Sequence, residues 1–325
     1  MEYGSVYDLK ILKEKNLFFL SGRTGIKNIL KNLLKTNDKC LIPNYLCESI
    51  FNCFNNYDYY KISDDFSIDF IHLKKLIEKN NYKIIYIINY FGYIDSNIEK
   101  IKKLCKEHNL YIIEDFTHNN FSKKLYGDIC LCSYRKSLET PFGCIVIDKN
   151  NLLNIDQKVK FNVLYILFVF LKLFMMILKN FSIIKFIWRP SLLFCENNID
   201  KIKYSNFDYI NHFFYKYYNN ISNMTARKKN FEIIHSNLKI KTLDKFVGTY
   251  FTYPIFLKNS LQRNNLVKNL IKERIYSPYY WCMDFDKNND CNKKLVENML
   301  CIPIYQRYNE KDMLYISNII NLYLN

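Results

Sequence analysis

Residues 111–143 read YIIEDFTHNNFSKKLYGDICLCSYRKSLETPFG, and the order of signals within them decides the fold. An apolar run, Tyr111 to Ile113, ends in two acids, Glu114 and Asp115. A second run, Asp128 to Cys132, is followed by Ser133, and Lys136 stands twenty-one residues after Asp115. Runs this short and this apolar read as buried strands rather than helices. Working outward, CLIP (40–43), KIIYIINYFG (83–92) and CIVIDK (144–149) repeat the pattern. Amphipathic helices fall between them: GRTGIKNILKNLLKT (22–36), with Ile26, Ile29, Leu30, Leu33 and Leu34 on one face, then HLKKLIEKN (72–80), then 97–108. Strands alternating with helices predict an α/β fold, a mostly parallel sheet covered by helices on both faces. Ligands of such sheets bind beyond the carboxyl ends of the strands. Asp115, Ser133 and Lys136 all fall at or just past those ends.

An acid at one strand end and a lysine past another suit one chemistry in particular. A pyridoxal phosphate enzyme needs a carboxylate to keep the pyridine nitrogen protonated and a lysine amine to form a Schiff base. Each residue has a plainer role when taken alone. Asp115 can cap the next helix, Lys136 can be a solvated loop lysine, and His118 a satisfied core or surface histidine.

Composition narrows the classes. Hydrophobic residues make up 49% of 325, enough for a large core in one large and one small domain. The formal charge of +16 favours anionic partners such as phosphates, nucleotide-linked substrates or an anionic membrane. Nucleic acid is discounted, because the lysines are scattered along amphipathic segments with no concentrated basic run. Eleven cysteines occur without CxxC spacing or a histidine cluster, so no metal site is expected and they read as small hydrophobes of a reduced chain. The start, MEYGSVYDLK, has no signal-peptide pattern, and a cytoplasmic location is expected.

The second half differs in character. Residues 161–188, FNVLYILFVFLKLFMMILKNFSIIKFIW, are intensely apolar until Arg189-Pro190. Within them Val163 to Leu178 is apolar except for Lys172, and Asn162, Tyr165, Lys172 and Lys179 form a narrow polar stripe at helical spacing. That pattern fits a core helix, a dimer-interface helix or a helix lying in a membrane surface, where Lys172, Lys179, Lys185 and Arg189 would meet anionic headgroups. Asn198 to His235 reads as helical. FVGTYFTYPIFL (246–257) reads as a strand, followed by helices at 261–273 and from about Glu310. The expected division is a cofactor-binding α/β domain at 1–160, a connecting segment at 161–235 and a small α+β domain at 236–325.

Several segments, in order, resemble the DegT/StrS-type sugar aminotransferases, pyridoxal phosphate enzymes of aminotransferase fold type I. SGRTGI (21–26) stands at their SGTxAL turn, IPNYLCES (42–49) at the segment over the cofactor ring, and INYFGY (88–93) at their hxYG strand end. IIEDFTH (112–118) matches IEDAAQ/H, and GDICLCSYRK (127–136) their GD…SF…K. TARKKNFEII (225–234) is similar to RRKNYEYL, and CIPIYQRYNEKDM (301–313) to LPIxxxxxEEDM. The resemblance implies that Asp115 pairs with the pyridine nitrogen and that Lys136 forms the Schiff base and then moves the substrate proton. It implies that His118 lies near the phenolic oxygen, that Ser133 binds phosphate by its hydroxyl, and that Arg23 and Thr24 supply backbone donors to it. It further implies amino transfer to a keto sugar on a nucleotide, for glycan or surface polysaccharide synthesis, by a homodimer with sites across two subunits.

The chain departs from the pattern in three places. Two residues, Tyr134 and Arg135, separate serine and lysine where the family usually has four. Cys47 stands where the family has a ring-stacking aromatic, with Tyr45 two residues away, and GxNxRM is not recognisable in 198–214. These departures favour a second reading, a catalytically inactive relative serving as a binding or membrane-surface partner. Retention of Asp115, Ser133 and Lys136 opposes it. Lys123 and Lys124 compete with Lys136 but precede the strand, and Gln306, Arg307 and Tyr308 lie either near a substrate pocket or in a surface loop.

Overall fold

A computed structural model of the chain describes residues 15–93, 95–119, 124–137, 140, 142–155, 163–178, 190–191, 194–195, 221–240, 242, 250–278, 280–281 and 292–324. Its larger sheet is built from β1 (Lys15–Phe19), β2 (Cys40–Pro43), β3 (Tyr57–Tyr60), β4 (Ile84–Ile88), β5 (Tyr111–Asp115), β6 (Ile129–Cys132) and β7 (Cys144–Asp148). The strand order is β1-β7-β6-β5-β4-β2-β3. Strands β3, β2, β4, β5 and β6 run parallel to their neighbours, whereas β7 is antiparallel to both β6 and β1. The sheet is therefore mostly parallel, as expected. CIVIDK turns back because the link from Cys132 to Cys144 is too short for a crossover helix, which needs about a dozen residues or more.

β1 and β3 have no counterpart in the sequence reading. They are the two edges of the sheet; β3 is mostly half-buried and has no continuous apolar run, whereas β1 buries the short run Leu17, Phe18 and Phe19.

Helices cover both faces, as the two-residue period of the strands requires. Ile113, Tyr86 and Leu131 pack with Ile26, Ile29 and Leu30 of α1 (Gly22–Leu33). A short α2 (Glu48–Phe51) follows β2. On the opposite face Ile112, Ile85 and Ile87 pack with Leu73 and Ile77 of α3 (Phe70–Lys79) and with Ile98, Ile101 and Leu104 of α4 (Ile98–Glu107). Burying each such aliphatic side chain contributes roughly 1.5–3 kcal/mol.

The chain continues through α5 (Val163–Leu178) and α6 (Ile221–Asn237) to a second unit. There β8 (Tyr253–Phe256) and β9 (Met299–Ile302) pair antiparallel, with α7 (Ser260–Lys272), α8 (Lys293–Asn298) and α9 (Glu310–Leu324). This unit has a core of its own, in which Phe231 and Ile234 of α6 meet Tyr253, Ile255, Leu270, Leu300, Ile302, Met313 and Ile320.

Helix α5 buries Val169 and Met175 and exposes Val163, Leu167, Phe170 and Phe174. Lys172 corrects an expectation. It is buried, and its ammonium lies 4.5 Å from the centre of the Phe142 ring, so it cannot reach headgroups. An ammonium over an aromatic face keeps a favourable electrostatic partner without water. Among the described residues no helix is long and apolar enough to cross a membrane. Asn162, Lys179, Lys185, Arg189, Lys123 and the segment 198–214 lie outside the described residues.

Candidate active site

The two acids that close β5 have different work because successive side chains leave opposite faces of a strand. Glu114 is buried and holds the approach to β6. One oxygen accepts from the amides of Tyr126 and Gly127, both at 2.8 Å, and the other from the Asn89 amide nitrogen at 3.1 Å. Burial raises the pKa of its carboxyl, against the pull of these hydrogen bonds and of Lys149. Asp115 faces the cavity beyond the strand ends. Its Oδ2 accepts from the Tyr86 hydroxyl and its Oδ1 from the Thr117 amide at 2.7 Å, so the carboxylate is fixed from two directions. Burial and the adjacent carboxylate hold the Tyr86 phenol well above its ordinary 10, and it remains a donor.

The serine and lysine follow β6 by a different device. The Ser133 amide donates to Thr117 Oγ1 at 3.0 Å, which ties the end of β6 to the end of β5. The chain then makes one 3-10 turn, Tyr134–Lys136. Tyr134 is buried and lies against Gly143, whose φ is +137°. Lys136 lines the cavity and is exposed to it. Surrounding protein nevertheless strips water from its amine and lowers its pKa below the ordinary 10.5. Cys47 opposes this, Arg135 adds to it, and Asp115 and Cys132 oppose it more weakly. The shortened gap between serine and lysine is thus a single tight turn that still delivers the amine to the carboxylate's cavity.

His118 forms the side of the cavity. Its ring stacks on Phe251 at 4.3 Å and on Phe91 at 5.1 Å, with Trp281 at 5.7 Å. Burial, with the charge of Lys136, lowers its pKa well below 6.5. The Phe91 amide donates to Nδ1 at 3.4 Å, so the neutral ring keeps its proton on Nε2.

Five of the six residues expected from sequence therefore line one cavity: Arg23, Asp115, His118, Ser133 and Lys136. Thr24 does not line it. Its amide donates to Ser21 Oγ at 3.2 Å, capping α1, and the helix-start residues that line the cavity are Ser21, Gly22 and Arg23. Lys124 pairs with Glu99 at 2.8 Å on the surface and is no rival to Lys136. Tyr45 is fully buried behind the cavity, and its hydroxyl donates to the Tyr280 carbonyl. Cys47 lines the cavity, joined by an aromatic that sequence reasoning missed, Trp281. Its only signal was an aromatic cluster, SPYYW (277–281), in a stretch with no helical or strand period. Thr117 and Arg135 were also missed as lining residues.

A pyridoxal phosphate group fits these residues. Gly22 leaves a cradle at the start of α1, where an added Cβ would lie 3.3 Å from Ser133 Cβ, and the buried Ser133 hydroxyl lines the same space. Helix-start amides, a hydroxyl and the arginines suit a phosphate. Asp115 suits a ring nitrogen, and Lys136 an aldehyde carbon.

The sheet order, the second antiparallel unit and this cavity define the fold as fold type I of the pyridoxal phosphate-dependent transferases. The model of the DegT/DnrJ/EryC1/StrS aminotransferase family matches residues 60–125, from the last residue of β3 to just before β6. In structure the chain is similar to the Helicobacter pylori aminotransferase PseC, involved in pseudoaminic acid biosynthesis, with a TM-score of 0.67 at 14% identity over 97% of this chain and 88% of that one. It is similar to the aminotransferase TlmJ of Streptoalloteichus hindustanus, with 0.66 at 12% over 97% and 88%. A variant GDP-4-keto-6-deoxymannose-3-dehydratase bound to GDP-perosamine gives 0.62 at 16% over 96% and 90%. No curated protein matches the chain in sequence.

Proposed function

We propose that the protein is a pyridoxal phosphate-dependent aminotransferase that moves an amino group from an amino acid to a keto sugar carried on a nucleotide, for glycan or surface polysaccharide synthesis. The observation that carries this reading is the convergence of Lys136, Asp115 and Ser133, from three different strand ends or turns, on one cavity beside the start of α1. When bound, the cofactor supplies an electron sink for the carbon bearing the amino group.

The chain's own residues have separable tasks. Asp115, fixed by Tyr86 and Thr117, holds the ring nitrogen. Ser133, the amides at Ser21 to Arg23, and the cations Arg23 and Arg135 hold the phosphate and fix the ring's depth. Lys136 Nζ takes the proton from the donor's α-carbon and returns a proton to the sugar carbon. A pKa below the ordinary lysine value enlarges the share of neutral amine available for that transfer. His118 keeps a neutral Nε2–H as a donor along the cavity wall, and Trp281 and Cys47 flank the space left for the ring.

A dehydratase variant of the family the chain resembles, in which histidine replaces the lysine, is disfavoured because this chain keeps Lys136. The inactive-relative reading is opposed by the intact geometry around that lysine. Purified protein mixed with pyridoxal phosphate should develop a visible absorbance band that Lys136→Ala removes. A wild-type protein that stays colourless in excess cofactor rejects the enzyme reading.

The exposed stripe Val163, Leu167, Phe170 and Phe174 supports a homodimer with α5 in its interface. With Lys172 buried, attachment to a membrane surface has less support. Analytical ultracentrifugation of Phe170→Glu, beside flotation with anionic vesicles, separates the two. The nine described cysteines are thiols, which fits a reducing, cytoplasmic compartment.

A further inference from the structure

Arg227 lies on α6, outside the cavity, and is almost fully buried. Its guanidinium spreads over three separate segments. Nε donates to Gln306 Oε1 at 2.7 Å, Nη1 to the Phe251 carbonyl at 3.0 Å, and Nη2 to the Ser137 carbonyl at 3.5 Å. The Gln306 amide nitrogen donates to the same Ser137 carbonyl, also at 3.5 Å. The guanidinium plane is flanked by the rings of Phe251 and Tyr305, at 5.9 and 5.4 Å.

Two of these three segments bear directly on the cavity. Ser137 is the residue after Lys136, so its carbonyl is the far anchor of the lysine's turn. The near anchor is Ser133, held by Thr117. Phe251 is the ring on which His118 stacks at 4.3 Å. A guanidinium presents its donors in a rigid planar fork, which a lysine cannot reproduce at three acceptors. Through the Ser137 carbonyl, Arg227 bears on Lys136 by geometry.

We infer that Arg227, with Gln306, is a positioning residue that clamps the far end of the Lys136 turn and the Phe251 shelf beneath His118, setting how far the lysine amine reaches into the cavity. The inference rests on the cofactor reading above and deepens it. A turn of only two residues between Ser133 and Lys136 has little slack, so its anchors decide the amine's place. A displacement of about 1 Å at a reacting group costs on the order of 100-fold in rate.

The test uses the full-length protein loaded with pyridoxal phosphate. Arg227→Lys and Gln306→Ala are each titrated for the pH midpoint of the visible band and assayed for kcat and KM of the donor half-reaction, read as single-turnover loss of that band with excess glutamate. Expected for Arg227→Lys are a band that persists, a midpoint moved by at least half a pH unit, and a kcat lowered roughly 10- to 100-fold with KM changed less than about threefold. Gln306→Ala should move the same readouts in the same direction by less, and the double variant should fall short of additivity. If both variants lose thermal stability yet keep the wild-type midpoint and kcat, the role is structural and the inference is wrong. Should Arg227→Lys fail to fold, Gln306→Ala decides by the same readouts. A wild type without a visible band rejects the cofactor reading itself, an outcome distinct from a wild-type band that neither variant perturbs.

Discussion

Tyr86 on β4 donates its hydroxyl to Oδ2 of Asp115 on the adjacent parallel strand β5, from a fully buried position. The pairing holds the carboxylate at one angle toward the cavity while the Thr117 amide takes the other oxygen. Replacing Tyr86 by Phe keeps the ring and removes only the donor. A hydrogen bond to a charged group contributes about 1.5–3 kcal/mol. Tyr86→Phe should therefore weaken pyridoxal phosphate binding by on the order of 10-fold or more, with the absorbance band retained. Titration at fixed pH measures this, and an unchanged dissociation constant would show that Asp115 does not need the contact.

Gly143 and Tyr134 share a space that admits no side chain on the glycine. A Cβ on Gly143 would lie 2.1 Å from Tyr134 Cζ, and its φ of +137° is one that L side chains rarely adopt. Gly143→Ala should cost about 3 kcal/mol from overpacking and backbone strain together. Because Tyr134 opens the lysine's turn, the visible band should weaken as well. Urea unfolding with a midpoint equal to wild type would refute the prediction.

His118 carries an acid-side stability dependence. Folding lowers its pKa below 6.5, so the unfolded chain binds the proton first as pH falls. Its contribution is fully present above pH 6.5 and is lost as pH drops from there toward the folded-state value. Within that window each pH unit costs about 1.4 kcal/mol per proton. Glu114, whose pKa is raised, acts in the opposite sense above 4.5, but it is common to wild type and variant. His118→Phe should flatten the fall in unfolding free energy between pH 6.5 and 5.5, and parallel slopes for the two proteins would contradict this.

The Lys136 amine should react with the aldehyde of pyridoxal phosphate with a pH midpoint below the ordinary lysine value of 10.5, because its surroundings disfavour the charged form. Neutral amine, the reactive species, increases as pH rises through that midpoint. Arg135→Met removes a cation and should raise the midpoint; Cys47→Ser removes an opposing influence and should lower it. Stopped-flow absorbance against pH reads both shifts, and movement in the reverse direction would show that the charges act otherwise.

What could be read along the chain follows from short-range physics. Buried strands of four or five residues announced themselves as apolar runs, because parallel strands bury both faces. Of the edge strands, Tyr57–Tyr60 is mostly half-buried and carries no such run, whereas Lys15–Phe19 buries Leu17, Phe18 and Phe19, a short apolar run that was legible and that sequence reasoning missed. The reversal of β7 depends on the length of a link. Glu114 and Asp115 are adjacent in sequence, and the strand's period alone assigns them to opposite faces.

By itself, the sequence determined the sheet's interior strands, the helices that cover them, and the acid and lysine placed at strand ends. Those features depend on periodicity and on residues close in the chain. Only the tertiary structure decided that Arg23, Asp115, His118, Ser133 and Lys136 line one cavity. It alone brought Trp281 to that cavity and laid Arg227 across Ser137, Phe251 and Gln306. These meetings join residues up to 260 positions apart, as between Ser21 and Trp281. Packing of the second unit against the sheet brings them together, and no local pattern encodes it.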